Sequence, residues 1–205
     1  MTQTVSALYD TYDAATSAVN ALEATGIPHS DISIVSNNVD ERYNNDRRSN
    51  ATEDAEKGAG VGAAVGGVGG LLTGLGLLAI PGIGPVVAAG WLVAAAAGAA
   101  TGAAVGGAAG GLVGALTSSG VPERDANFYA EGVRRGGTLV TAQVDDARAS
   151  AAREILRQYK SVDPDVRGAA YRQSGWTAFD EKAPPYTSDQ VTAERARYIE
   201  RGGGI

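Results

Sequence analysis

The sequence predicts an α+β fold: a small ferredoxin-like α/β sandwich, ordered β-α-β … α-β-α, interrupted by a long Gly/Ala-rich α-helical hairpin. Three observations carry this reading. Short stretches of apolar alternation and helical periodicity recur on both sides of a central block. Neither flank holds enough apolar residues to fold alone, so the two halves are expected to combine. The central block, between Lys57 and Glu123, runs for 65 residues without a charge, and 20 of the chain's 29 glycines lie between residues 58 and 120.

The elements follow in order. Residues 1–37 form the first half of the α/β domain. Val5, Ala7 and Tyr9 share one face of a strand. Asp10 is placed to cap a helix carrying Tyr12, Ala15, Val19 and Leu22, which Gly26 and Pro28 end. Asp31 to Ser36 reads as a second strand, parallel to the first across a right-handed crossover. Residues 38–57 are rich in Asn, Asp, Arg and Glu and read as a flexible linker.

In the block 58–120, Gly58, Gly62, Gly66, Gly70 and Gly74 recur at steps of four, as do Gly98, Gly102, Gly106, Gly110 and Gly114, with Gly90 extending the second series. On a helix these positions make one bare stripe that lets another backbone approach closely. In water each such glycine costs about 0.5–1 kcal/mol relative to alanine, so helix pairing, favoured in lipid by small-xxx-small stripes, is the expected role. Pro81, Gly82, Gly84 and Pro85 mark the hairpin turn at 81–85. Leu71, Leu72, Leu75, Leu77, Leu78 and Ile80 weight the first predicted helix towards lipid. The second, Val86 to Thr117, is too long for a single span and nearly all Ala and Gly beyond Ala94.

Residues 121–162 supply the second half of the domain. Pro122 opens a helix ended by Gly136-Gly137, Thr138 to Val144 alternates as a strand, and Asp145 or Asp146 caps a helix bearing Ala152, Ile155 and Leu156. Residues 163–205 form a tail with a short C-terminal helix. Its aromatics, Tyr171, Trp176, Phe179 and Tyr186, admit two readings: packing across the domain, or docking on another subunit.

Composition narrows the chemistry. There is no cysteine and only one histidine, His29, so thiol catalysis, zinc fingers and multi-histidine metal sites are excluded. The net charge is −6, with the acidic excess confined to residues 1–57, which argues against nucleic acid. The opening residues carry no basic stretch followed by an apolar run, so no secretory signal is expected. The loose Gly-rich fingerprints at Gly58–Ala63 and Gly74–Ala79 follow no strand and precede no acidic ribose ligand. Asp145-Asp146 and Asp163-Pro164-Asp165 read as a helix cap and a turn rather than as a carboxylate pair. Arg134-Arg135 at a helix C-terminus complements the dipole. No catalytic, cofactor-binding or metal-binding residue emerges.

The segments ALYDTYDAATSAVNALEATGIPHSDISIVSNN, LAIPGIGPVVAAGWL and GVPERDANFYAEGVRRGGTLVTAQVDDARASAAREIL resemble the general stress protein 17M-like (heat-induced stress protein) domain of bacteria, over roughly residues 4–160. The resemblance implies a non-enzymatic, stress-related protein without catalytic residues. Together these readings lead to the expectation of a homo-oligomer that self-associates through its glycine zipper, with the hairpin inserted in lipid on the cytoplasmic side of the inner membrane. The alternatives are a soluble cytoplasmic assembly (a shell, tube or filament) of hairpins packed without lipid, and a membrane-tethered ligand-sensing regulatory domain. No small-molecule substrate is identified.

Overall fold

The computed structural model describes residues 2–39, 76–93, 95 and 111–202. Strand β1 (Thr2–Tyr9) leads into α1 (Tyr12–Ala24) and β2 (Ile32–Asn37). Strands β3 (Gly76–Ile80) and β4 (Gly84–Ala89) follow, then α2 (Gly111–Ser118) and α3 (Glu123–Arg134). The described chain continues through β5 (Thr138–Asp145), α4 (Asp146–Gln158), α5 (Pro164–Gln173) and α6 (Ser188–Gly202).

The strands form one antiparallel sheet in the order β1-β5-β2-β4-β3. β1 and β2 are parallel to each other, as expected of a β-α-β unit, but β5 lies between them and is antiparallel to both. The two halves of the sequence thus need each other: the strand of the second half is the middle strand of the first.

Alternation along the strands sends side chains to two different cores. Val5, Ala7 and Tyr9 of β1, Ile32 and Ile34 of β2, and Val140, Ala142 and Val144 of β5 meet Ala15, Val19 and Leu22 of α1 and Ala152 and Leu156 of α4. The opposite face sends Leu8, Val35, Val86, Ala88 and Leu139 towards Leu112 and Leu116 of α2, Phe128, Tyr129 and Val133 of α3, and Tyr171 of α5. Helices cover both faces, so the domain has three layers where a two-layer sandwich was expected.

Two expectations are corrected. Where glycine spacing predicts the ends of two long helices, residues 76–80 and 84–89 are the paired strands of a β-hairpin. The physical reason lies in the residues between the glycines. Val86 and Ala88 face one core while Ala89 faces the other, the two-residue period of a strand. Pro81 and Gly82 (φ 74°) occupy the central positions of a turn closed by Ile83 N–H donating to the Ile80 carbonyl at 3.1 Å, the type II pattern. Helical geometry also fails at Gly90, at φ 93°, where an added Cβ would collide with the Ile32 carbonyl oxygen. The second correction is the cap of α1. Thr11 accepts the Ala14 N–H, while Asp10 faces the tail.

Gly58, Gly62, Gly66, Gly70, Gly74, Gly98, Gly102, Gly106 and Gly110, and the linker from residue 40 onwards, lie outside the described residues. Gly114 sits half-buried in α2. Among the described residues no helix is long and apolar enough to cross a membrane. Of the aliphatics expected to face lipid, Ile80 is buried in the domain and Leu77 is exposed; Val86, Val87 and Leu92, at the start of the second predicted helix, are buried too.

Candidate functional site

The hairpin turn and the tail, two regions singled out separately in the sequence, are brought together. A Cβ at Gly82 would stand 2.8 Å from the Asp180 carbonyl oxygen, and one at Gly84 would stand 2.9 Å from Pro185. The absence of side chains at these two positions lets residues 179–185 lie against the turn. Phe179 N–H donates to Asn127 Oδ1 at 3.0 Å and fixes the same segment on α3. Tyr171 is buried, with Phe128 and Trp176 rings 5.8 and 5.9 Å away. Tyr186 lies half-buried beneath the Arg134 guanidinium at 4.9 Å. All four tail aromatics are therefore engaged within their own chain.

Charges close the seam. Glu131 on α3 is 1 % exposed and accepts from Arg135 Nε at 2.6 Å; Arg135 also donates to Glu194 of α6 at 2.9 Å. Burial works against the Arg135 cation, but the hydrogen bond and charge of Glu131, with Tyr186 and Glu194, outweigh it and hold the group above its usual range. Arg167 of α5 forms a bidentate pair with Asp10 at 2.8 Å and lies 3.4 Å over the Tyr198 ring of α6. Glu131 and Arg135 stand at the i,i+4 step of a helical ion pair, but spacing gave no signal for Glu194, 63 residues beyond Glu131, or for Arg167, 157 residues beyond Asp10. Arg134-Arg135 was read as a dipole pair; the structure makes it the anchor of the tail.

A cleft with a volume of about 640 Å³ runs along β1 on the side away from β5. Its floor is Thr4 to Ala7. One wall is Val121, Pro122, Asp125 and Tyr129 at the start of α3, and the other is Arg153, Leu156 and Arg157 of α4. Tyr129 O–H donates to the Ser6 carbonyl at 3.0 Å, and Val162 N–H to the Leu8 carbonyl at 2.7 Å. Burial, and then the charge of Asp125, push the Tyr129 phenol up to about 12. Ser6 Oγ is enclosed and has no hydrogen-bond partner among the described residues. Sequence reasoning missed this cleft, since its walls come from segments some 120–150 residues from β1.

Among the described residues no group of three or more His, Asp or Glu side chains is placed to hold a metal ion. Fold and site define a three-layer α/β domain with β1 at the edge of the sheet among the described residues and a tail clamped over one face. Residues 4–80, which include most of β1 and all of α1, β2 and β3, match the family model of the heat induced stress protein YflT domain. This is the stress-protein family that the sequence resembles, and the match supports a stress-related role. No curated protein and no solved structure matches the chain.

Proposed function

We propose that the protein is a non-enzymatic stress-related protein whose α/β domain carries two uncharged Gly/Ala segments through which copies of the chain self-associate, without lipid. The observation that supports this best is the fate of the hairpin. Ile80, Val86, Val87 and Leu92 are buried in the domain, so of the remaining uncharged stretches 96–110 keeps a single large aliphatic, Val105, to face hydrocarbon, and 58–75 keeps three valines and three leucines. Small residues at steps of four still favour close backbone packing, and an isolated glycine-rich helix in water needs a partner to form at all.

Two measurements on the full chain test this. Sedimentation velocity should show assemblies larger than a monomer, dispersed by replacing Gly66, Gly70, Gly102 and Gly106 with leucine. Carbonate extraction of cell membranes should leave the protein in the supernatant. A monomer would overturn the self-association, and retention in the carbonate pellet would return the reading to a lipid-embedded hairpin.

A further inference from the structure

The two walls of the β1 cleft differ in kind, and the difference matches an alternating peptide. In an antiparallel pair the N–H and C=O of one residue point to the same side. The Ser6 and Leu8 carbonyls are bonded to Tyr129 and Val162, away from β5, so the even-numbered residues of β1 direct their backbone outward. The N–H groups of Thr4 and Ser6 and the carbonyl of Thr4 therefore face the cleft. Val162, bonded to Leu8, already lies where an added strand would end.

The α3 wall, Val121, Pro122 and Tyr129, is largely apolar. The α4 wall presents Arg153 and Arg157, both exposed. Arg153 donates to Gln3 Oε1 at 2.7 Å, and Arg157 has no hydrogen bond or ion pair among the described residues. Neither has a carboxylate partner there. The two acids of the cleft are engaged: Asp125 with Arg124 at 3.0 Å, and Asp163 as the cap of α5, accepting from Asp165 and Val166. The α4 wall is thus cationic, and the two carboxylates of the cleft stand at the starts of α3 and α5, in a chain of net charge −6.

We infer that this cleft binds an extended acidic peptide of a partner protein as an added strand on β1, with apolar side chains against Val121, Pro122 and Tyr129 and carboxylates on Arg153 and Arg157. The spacing agrees. Side chains four apart on a helix stand about 5–6 Å from one another, and same-face residues of a strand repeat every ~6.6 Å. Main-chain hydrogen bonds supply affinity in such augmentation, and alternate side chains supply selectivity. This inference is independent of the proposed self-association, which a different measurement reads.

The test uses the full chain and a fluorescein-labelled peptide, Thr-Val-Glu-Val-Glu-Val-Glu-Thr, followed by fluorescence anisotropy. The peptide should bind and perturb the amide resonances of Thr4 and Ser6. Replacing its glutamates by lysine, or methylating alternate backbone nitrogens, should weaken binding at least tenfold. The Arg153→Glu, Arg157→Glu double variant, checked for an unchanged circular dichroism spectrum, should do the same. Absence of binding, equal binding of the lysine peptide, or an unchanged Kd in the arginine variant would each overturn the assignment. Should the variant fail to fold, the peptide variants on the natural chain decide the matter.

Discussion

The two faces of the sheet are closed in different ways. The α1/α4 face is built from aliphatic and small side chains on elements adjacent in sequence to their strands, with Tyr9 its largest group. The opposite face is sealed by α3 together with a tail that reaches back across the domain, and its seam contains Glu131, Arg135 and Glu194, all less than 9 % exposed. Hydrophobic burial is non-directional and tolerates small shifts, whereas a buried ion pair depends on every partner. The first face should therefore yield gradually to substitution, and the second should fail when one charge is removed.

The largest effect is expected at Arg135. Arg135→Met leaves Glu131 and Glu194 as buried carboxylates without their cation, a change that costs about 3–5 kcal/mol. Urea unfolding measures it, and a loss below about 1 kcal/mol would show that the seam is solvated and the contrast between the faces false. On the other face, Leu22→Ala removes a fully buried side chain and should cost about 3 kcal/mol through lost transfer and cavity terms. There the companion change Leu22→Met should restore most of the loss, because volume is kept. No volume-conserving swap should rescue Arg135 so readily.

Alkaline pH sets the tyrosines of both faces against one another. Burial raises Tyr9 on one face and Tyr171 on the other, and holds Tyr129 at about 12 against an ordinary value near 10. A raised folded-state value means that the native state holds the proton more tightly. The stability gained is complete below pH 10 and is lost as the pH rises towards 12. For Tyr129 this amounts to roughly 2–3 kcal/mol. Tyrosinate absorbance and circular dichroism should change together above pH 10, and Tyr129→Phe should move the midpoint upward. Tyrosinate formation without loss of structure would mean that these phenols are open to solvent.

What the sequence disclosed follows the same division. Val5, Ala7, Tyr9 and Val140, Ala142, Val144 were legible because two-residue alternation is local, and α1 and α4 were legible from their own periodicity. The hairpin 76–89 was misread because counting glycines in fours treats each as a helix position. The turn at Pro81, Gly82 and Gly84 was legible from its Pro-Gly pattern and stands where it was expected, but its flanks are strands, and Gly90 serves a close approach to Ile32 that only backbone angles reveal. The tail seam was hidden because Asp10 meets Arg167 across 157 residues, and no local rule pairs them. The β1 cleft escaped for the same reason, its walls belonging to helices that only the folded sheet brings beside β1.

The smallest predicted effect lies at that long-range pair and discriminates most finely. Arg167 is bidentate to Asp10 and stacked on Tyr198, so it ties α5 both to the end of β1 and to α6. Lysine keeps the charge but offers neither the planar fork nor the stacking surface. The Asp10 side chain is 31 % exposed, and solvent screening limits the loss for Arg167→Lys to about 1 kcal/mol. Global unfolding should then barely move. The release should instead be local: α6 loses its hold through Tyr198, and brief trypsin treatment should cut at Arg195 and Arg197 faster than in the natural chain, while Arg153 and Arg157 of α4 stay protected. If cleavage accelerates equally at Arg153 and Arg157 of α4, the two faces open as one unit and the tail is no separate closure. If only the tail sites accelerate, the second face is held by a clasp that can open while the first face stays shut, as its ion pairs and aromatic contacts imply.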